Sequence, residues 1–248
     1  MLIMTHALTM SRRSCLALGA AALAVRPALA ASKRLSVVEL FTSQGCSSCP
    51  PADAFMEELV QRKGVIALTF NVDYWDYLGW KDTLGSSYNS KRQYDYAKSR
   101  GDMDVYTPQM VVDGTAHYVG SNRSSVNAGM DSALAAASPW VPLAITEEGK
   151  EYVITAGSGA GEGTIWLMSV APVIKVKIER GENSGKDVNY HNAVRVCEAV
   201  GMWKGEDMTT RVPKLAMAAK GAKSVVALLQ SGHVGPVLGA ATLNHAAS

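Results

Sequence analysis

The chain is poor in cysteine, carries no marked excess of either charge and lacks the long apolar run of a membrane span. It has four cysteines among 248 residues, and 24 lysines and arginines stand against 22 aspartates and glutamates. So few cysteines exclude a scaffold held together by many disulfides. The balanced charge argues against a nucleic-acid partner, which needs a clustered basic surface. A membrane span needs about 20 apolar residues, and we expect none in the mature chain.

The first thirty residues have the three-part pattern of a secretory signal. Arg12 and Arg13 form a short basic segment, residues 15–25 are an apolar run, and Ala28 and Ala30 are the small residues that precede a cleavage site. We therefore predict cleavage before residue 31 and a periplasmic or secreted mature protein. The arginine pair fits a twin-arginine signal and an ordinary basic segment alike, so the export route stays open.

Removal of residues 1–30 changes the length and the charge of the chain. It leaves 218 residues and 21 of the 24 basic residues against all 22 acidic ones, which is a net charge of −1. This length suits one large domain or two modest ones. The Ser-Pro-Trp-Val-Pro segment at 138–142 has the composition of a linker. We therefore predict two domains, at residues 31–138 and 139–248.

The first half alternates strand-like and helix-like patterns. In chain order the patterns predict a strand at 35–41, a helix that begins at Pro50, a strand at 65–72, a helix at 87–100, strands at 109–112 and 116–119, and a helix at 124–137. Asp113-Gly114 between the last two strands is a strong hairpin signal. The order β-α-β-α-β-β-α is typical of an α/β thioredoxin-like domain.

Strand-like runs dominate the second half. They lie at residues 143–146, 151–155, 164–170, 173–178, 188–200 and 224–230, with glycine-rich turns at 157–163 and 181–185. This spacing favours a smaller, mainly antiparallel β domain of the sandwich type.

The residues with chemistry are Cys46 and Cys49, which are separated by two serines. The pair lies between a predicted strand and a predicted helix, where two cysteines at this spacing can close a disulfide. A helix N-terminus favours a thiolate, and the thiolate is the species that attacks a disulfide. We therefore interpret Cys46 as the exposed nucleophile and Cys49 as the resolving partner.

A second element of the predicted site is Thr107-Pro108. In thioredoxin-like folds a cis-proline at this place faces the cysteine pair, and the preceding residue pairs its backbone with a bound peptide. Pro108 has that context because it directly precedes the first strand of the hairpin. We expect a cis bond here, with Pro108 in the catalytic site and Thr107 in contact with substrate.

Three segments carry a resemblance to a known family. They are VELFTSQGCSSCPPAD at 38–53, NVDYWDYLGWKD at 71–82 and VYTPQMVVDG at 105–114, and shorter matches at 181–183, 190–192 and 194–195 extend into the second half. They resemble the DUF1223 family of secreted, thioredoxin-like bacterial proteins. The resemblance implies the fold along nearly the whole mature chain, but it implies no particular reaction, since a fold alone does not fix a function.

Other residues have a functional interpretation and a plainer one. Asp73 can accept a proton from Cys49 or can merely cap the loop after its strand. Trp75 and Trp80 can form the floor of a substrate groove or can bury their long connection against the domain. Cys197 fits a core position better than a reactive thiol.

Three functional hypotheses follow. The first is a thiol–disulfide oxidoreductase that acts on protein or peptide thiols and disulfides without a cofactor. The second is a peptide-binding protein whose disulfide is structural. The third is a module that binds Cu(I) or Zn(II) through the two cysteines. A four-ligand zinc site requires further cysteines or paired histidines, which the sequence lacks near this pair. We therefore predict no metal. The oligomeric state stays open.

Overall fold

The computed structural model describes residues 34–136 and 139–244. The predicted signal at 1–30 and its cleavage site lie outside the described residues. The described strands are β1 (Ser36–Thr42), β2 (Val65–Asn71), β3 (Gln109–Val112), β4 (Ala116–Val119), β5 (Leu143–Glu148), β6 (Glu151–Ala156), β7 (Gly163–Lys177), β8 (Asp187–Trp203), β9 (Met208–Pro213), β10 (Ser224–Ser231) and β11 (Val237–Asn244). The described α-helices are α1 (Pro50–Leu59), α2 (Ser87–Arg100) and α3 (Arg123–Ala135), and short 3-10 helices occur at Asp76–Leu78 and Lys214–Met217.

Eight of these strands form one mixed sheet, in the order β11-β10-β7-β8-β2-β1-β3-β4. β1 pairs parallel with β2 and antiparallel with β3, which confirms the predicted β-α-β unit and hairpin. β8 runs parallel to β2 and pairs with it at Thr69 and Ala193. The sheet therefore continues from the first half of the chain into the second. The predicted boundary between two domains stays a prediction.

The alternation of β1 assigns the helices to the two faces of the sheet. All seven residues of β1 are buried, and successive side chains point to opposite faces. Val38 and Leu40 pack with apolar residues of α1 and α3, whereas Val37 and Phe41 lie in the cluster that includes Tyr96 of α2. The first half is thus a layer of sheet between helices on both sides.

The second half is mainly antiparallel, as predicted, but it contains two strands that the sequence pattern does not predict, β9 and β11. A separate three-stranded sheet, β5-β6-β9, packs its buried residues against apolar side chains of β7 and β10. The second half therefore forms two packed layers, and one of them belongs to the large sheet.

The prediction of two strands at 164–170 and 173–178 is wrong, because β7 continues through Pro172. The ladder to β8 joins Ala171 to Ala193 and Val173 to His191, and it passes over Pro172. Proline has no N–H to donate. The residue opposite, Asn192, has a positive φ of 48°, and its side chain donates to the carbonyl oxygen of Ala67 at 3.0 Å. The strand therefore continues although Pro172 and Asn192 form no backbone pair.

A buried ion pair joins α2 to the centre of the sheet. The Arg92 guanidinium donates to both carboxylate oxygens of Glu39, at 2.7 and 3.0 Å. Tyr96 donates to Glu39 at 2.5 Å, and Arg92 also donates to Gln230 of β10 at 2.7 Å. The side chains of Arg92 and Glu39 are 5% and 1% exposed. This network ties helix α2 to strands of both halves.

The Arg92→Met variant tests this network. Methionine keeps an unbranched apolar stem in place of arginine but leaves the Glu39 carboxylate buried without its cation, so we expect a loss of about 3–5 kcal/mol in the free energy of unfolding. Urea denaturation measures it. The control is Arg123→Met, because Arg123 and Glu58 form a pair that is 49% and 55% exposed, and such pairs contribute about 0–1 kcal/mol. Equal losses in the two variants would show that the buried Glu39–Arg92 pair contributes no more to stability than an exposed pair does.

Candidate functional site

The candidate site is the disulfide between Cys46 and Cys49, at the start of α1. β1 ends at Thr42, and the loop that follows delivers Cys49 to the N-cap position of the helix. The Cys49 N–H donates to the Cys46 carbonyl at 3.2 Å, and the two Cα atoms are 5.4 Å apart. Pro50 and Pro51 occupy the first helical positions, so two of the amide donors that usually lie at a helix N-terminus are missing.

The prediction that Cys46 is an exposed nucleophile is wrong in this disulfide state. Cys46 is 3% exposed and Cys49 is fully buried. The reason is the packing of the loop around them. Trp75 lies so close to Gly45 that an added Cβ would be 3.1 Å from the Cβ of Trp75, so a side chain at this position would fit only if Trp75 moved by a few tenths of an ångström. A thiolate that attacks this disulfide must therefore displace part of its cover.

The predicted Thr107-Pro108 segment lies beside the disulfide. Its peptide bond is cis, the isomer that the sequence predicts. The Ser48 hydroxyl lies 3.4 Å from Cys46 Sγ and donates to the Thr107 carbonyl at 3.5 Å, which is a long hydrogen bond. Pro108 approaches the start of α1, since a Cβ at Gly120 would lie within 3.2 Å of both Pro108 and Ala52. The structure thus brings these residues together as the sequence suggests, and their roles stay predictions.

The two tryptophans hold the loops around the disulfide. The indole N–H of Trp75 donates to the Thr107 hydroxyl at 2.7 Å, and that of Trp80 donates to Gln44 Oε1 at 2.8 Å. Tyr77 stacks on Trp75 with ring centroids 6.3 Å apart and is 76% exposed. Trp75 and Tyr77 therefore form an aromatic surface next to Thr107, whereas the indole of Trp80 fixes the loop that precedes Cys46.

Asp82 is the polar anchor of that loop. Its buried carboxylate accepts hydrogen bonds from the Gln44 and Leu84 backbone N–H groups at 2.8 Å each, and from Asn71 Nδ2 at 3.1 Å. Burial raises the pKa of Asp82, and these donors oppose the rise. Because its oxygens are held by several donors, Asp82 fixes the position of the loop.

The sequence suggests Asp73 as a proton acceptor for Cys49, and the structure places a different acid near that cysteine. The Asp73 carboxylate accepts a hydrogen bond from Ser90 of α2 at 2.5 Å, which fits the capping interpretation. Asp53 lies one helical turn after Cys49, and its backbone N–H donates to the Cys49 carbonyl at 3.1 Å. Side chains four residues apart share a helix face, and both residues are buried.

Asp53 is the more strongly perturbed acid. Burial raises its pKa from 3.8 to about 8, although the hydrogen bond that Thr42 donates to its Oδ1 lowers it. Its Oδ2 has no hydrogen-bond partner among the residues that the structure describes. An acid in the first turn of a helix is favourable in any case, because it interacts with the helix N-terminus. The signal for its burial is the position, i+4 from a buried cysteine on the apolar side of α1.

Asn183 is a site residue to which the sequence assigns no role, although it lies in the short family match at 181–183. It lies in the turn between β7 and β8, and its side-chain amide donates to the carbonyls of Gln44 and Cys46, at 2.9 and 2.8 Å. It is separated from Cys46 by 137 residues. No local pattern connects residues so distant along the chain.

Cys197 lies on β8 and packs against the main apolar cluster. Burial raises the pKa of its thiol to about 11, so it is protonated at neutral pH and unsuited to nucleophilic attack. Within residues 34–136 and 139–244, no group of three or more His, Cys, Asp or Glu side chains is arranged to hold a metal ion. No helix of the described chain is long and apolar enough to cross a membrane.

Comparisons with solved structures give two similar chains. Protein AGR_C_4864 from Agrobacterium tumefaciens is 33% identical, with a TM-score of 0.77, and the match covers 88% of this chain and 98% of that one. HBP35 of Porphyromonas gingivalis is 12% identical, with a TM-score of 0.54 over 86% of this chain and 76% of that one. The second likeness concerns the fold alone.

The comparison with curated proteins finds no match. The comparison with protein families finds one whose description is "Protein of unknown function (DUF1223)", and the match spans residues 37–230. It includes the disulfide, the Thr107–Pro108 segment and Asn183. The chain belongs to the DUF1223 family.

Proposed function

We propose that the chain is an exported thiol–disulfide oxidoreductase with a thioredoxin-like first half, and that it acts on protein or peptide thiols and disulfides. The observation that carries the proposal is the place of the Cys46–Cys49 disulfide, at the N-terminus of α1 and beside Thr107-Pro108. The element order β1-α1-β2-α2-β3-β4-α3 supports the thioredoxin-like assignment. The signal-like residues 1–30 support export to an oxidising compartment, where such pairs function.

From the disulfide state, the reaction begins with a substrate thiolate that attacks Cys46 Sγ. A sulfur–sulfur bond forms between the substrate and Cys46, and the electron pair of the old bond leaves on Cys49 Sγ. A second substrate thiolate then attacks the substrate sulfur of the mixed disulfide and releases Cys46 as a thiolate. The substrate dithiol becomes a disulfide, and the cysteine pair gains two electrons. A partner disulfide oxidises the pair again through the same steps in reverse.

Asp53 supplies the proton that the leaving Cys49 needs. Its raised pKa keeps the carboxyl largely protonated at neutral pH, and it lies one turn from Cys49 on the same face of α1. When the disulfide forms again, the ionised carboxylate takes the proton back from Cys49. Asp53 thus performs the proton transfer for which the sequence suggests Asp73.

The burial of the disulfide favours a second candidate function. Because Cys46 is 3% exposed, the bond can also serve to fix the loop of a peptide-binding protein that undergoes no redox cycle. The stacked rings of Trp75 and Tyr77 then form part of a recognition surface. The reduction potential separates the two functions, since structural disulfides are far harder to reduce than catalytic ones.

Equilibration of the mature protein with glutathione tests the proposal. We expect a reduction potential between about −270 and −120 mV, the range of exchange catalysts. Mass spectrometry of the alkylated peptides assigns the exchange to Cys46 and Cys49. A potential below about −300 mV, where structural disulfides lie, would support the second function instead.

Replacement of single cysteines provides the matched test of activity. Cys46→Ser should abolish the reduction and oxidation of a model peptide disulfide, because no nucleophilic sulfur remains at that position. Cys197→Ser should retain the activity of the unchanged protein, since Cys197 is a core thiol. Rates are followed by chromatography of the peptide. Equal rates for the two variants would contradict the role of Cys46.

Asp53→Asn should make the protein more stable and the exchange slower. The carboxyl ionises with a pKa of 3.8 in the unfolded chain and about 8 in the folded one, so the native protein loses stability as the pH rises between these values. The stability of the variant relative to the unchanged protein should therefore increase by up to about 1.4 kcal/mol per pH unit in that window. Urea denaturation at pH 4, 6 and 8 measures it.

The control for this series is Asp131→Asn, which changes an exposed carboxylate of α3. Its stability difference should stay nearly constant from pH 4 to 8, and its exchange rate should be unchanged. If Asp53→Asn matches this control in stability and in rate, then Asp53 is neither a buried acid nor the proton donor of Cys49.

A further inference from the structure

The tip of the β7–β8 hairpin reaches the disulfide loop from the other half of the chain. Asn183 is 1% exposed, and its Nδ2 donates to the Gln44 carbonyl at 2.9 Å and to the Cys46 carbonyl at 2.8 Å. A side-chain amide has two N–H hydrogens. Both donors of Asn183 are therefore directed at the loop that carries the nucleophile.

The backbone of the tip fixes the position of Asn183. The Gly185 N–H donates to the Ile178 carbonyl at 2.8 Å, and the Ser184 N–H donates to the Gly181 carbonyl at 3.1 Å. Gly181 and Gly185 have φ values of 76° and 83°, which residues other than glycine rarely adopt. The hairpin thus presents the amide in one orientation before any ligand binds.

The oxygen of the same amide has a charged partner. Lys186 Nζ donates to Asn183 Oδ1 at 2.8 Å. A charged donor at the oxygen draws electrons from the amide, which makes its nitrogen a stronger donor. The amide therefore connects an ammonium at the surface to the Cys46 carbonyl in the interior.

Apart from the Ser48 hydroxyl, which lies 3.4 Å from Cys46 Sγ, a thiolate at Cys46 receives less stabilisation here than at an ordinary helix N-terminus. Pro50 and Pro51 remove two of the first amide donors of α1. The Cys46 carbonyl accepts one hydrogen bond from the Cys49 N–H, and its partial negative charge repels a thiolate of the same residue in a site with little water. The second hydrogen bond, from Asn183, withdraws part of that charge.

We propose that Asn183, polarised by Lys186, is a positioning residue that stabilises the reduced thiolate form of Cys46 relative to the disulfide. The inference rests on the proposed exchange function. It adds that the second half of the chain helps to set the reduction potential of the cysteine pair. A stabilised thiolate makes the pair a stronger oxidant of substrate thiols. Loss of the amide donors therefore makes the pair harder to reduce.

The experiment compares Asn183→Ala and Lys186→Met with Asn189→Ala, which removes an exposed asparagine from the same hairpin. Two quantities are measured on the mature protein. One is the equilibrium with glutathione at a pH above the Cys46 pKa of every variant. The other is the pH midpoint for alkylation of Cys46 by iodoacetamide after reduction, resolved by peptide mass spectrometry.

Asn183→Ala should shift the glutathione equilibrium about tenfold towards the disulfide, which is about 30 mV for two electrons, and should raise the alkylation midpoint by about one pH unit. Lys186→Met should shift both in the same direction by less, and Asn189→Ala should shift neither. Lys186 is exposed, so its variant decides the matter even where Asn183→Ala fails to fold.

The outcomes separate this inference from the function on which it rests. If the unchanged protein equilibrates with glutathione but Asn183→Ala and Lys186→Met behave as Asn189→Ala does, the role of Asn183 is wrong and the exchange function stands. If glutathione fails to reduce the unchanged protein at any ratio, the exchange function is wrong. The alkylation midpoints after reduction by dithiothreitol then still decide whether Asn183 stabilises the thiolate.

Discussion

A carboxylate in the middle of a fully buried strand imposes the main constraint on this fold. Glu39 lies in β1, where every residue is buried, and a charge at such a place is tolerated only with a partner. Arg92 satisfies it from α2, and its guanidinium also lies over the rings of Phe70 and Trp166. Since α2 follows directly on the connection that carries Trp75 and the loop anchor Asp82, the pair also holds the end of that connection against the sheet.

The polar groups around the disulfide divide into those that hold the loop and one that is suited to proton transfer. Asp82 and Gln44 are buried, and their oxygens are held by several donors. Within residues 34–136 and 139–244, the Asp53 carboxylate accepts a hydrogen bond from Thr42, and its second oxygen is buried without a partner. A buried carboxyl with so little compensation reduces stability once it ionises. The Asp53 backbone N–H donates to the Cys49 carbonyl at 3.1 Å, so this acid lies one helical turn from the cysteine that needs a proton in the proposed exchange.

Local patterns in the sequence were sufficient for the first half of the fold. Proline at the start of α1 and the Asp113-Gly114 turn act within a few residues, so the β-α-β unit and the hairpin could be predicted closely. The sequence of β11, VLGAATLN, does not predict a strand because glycine and alanine have low strand propensity, and its pairing with β10 makes it one. The spacing of the cysteine pair is enough to predict the disulfide. The burial of Cys46 cannot be predicted in this way, because it results from tertiary packing by residues far along the chain.

The second half of the chain completes the site in two places. At the sheet, β8 meets β2 through the single pair of Thr69 and Ala193, supported by hydrogen bonds from the Thr69 hydroxyl to the His191 carbonyl and from Asn192 to Ala67. At the disulfide loop, the same hairpin supplies both amide hydrogens of Asn183. Without these donors two carbonyls of the loop would each lose a buried hydrogen bond, although the Cys46 carbonyl would keep the one from the Cys49 N–H, and a typical hydrogen bond contributes about 0.5–1.5 kcal/mol. The loop conformation around Cys46 therefore depends on a hairpin that follows it by more than a hundred residues, and the second half of the chain helps to hold the loop that carries the disulfide.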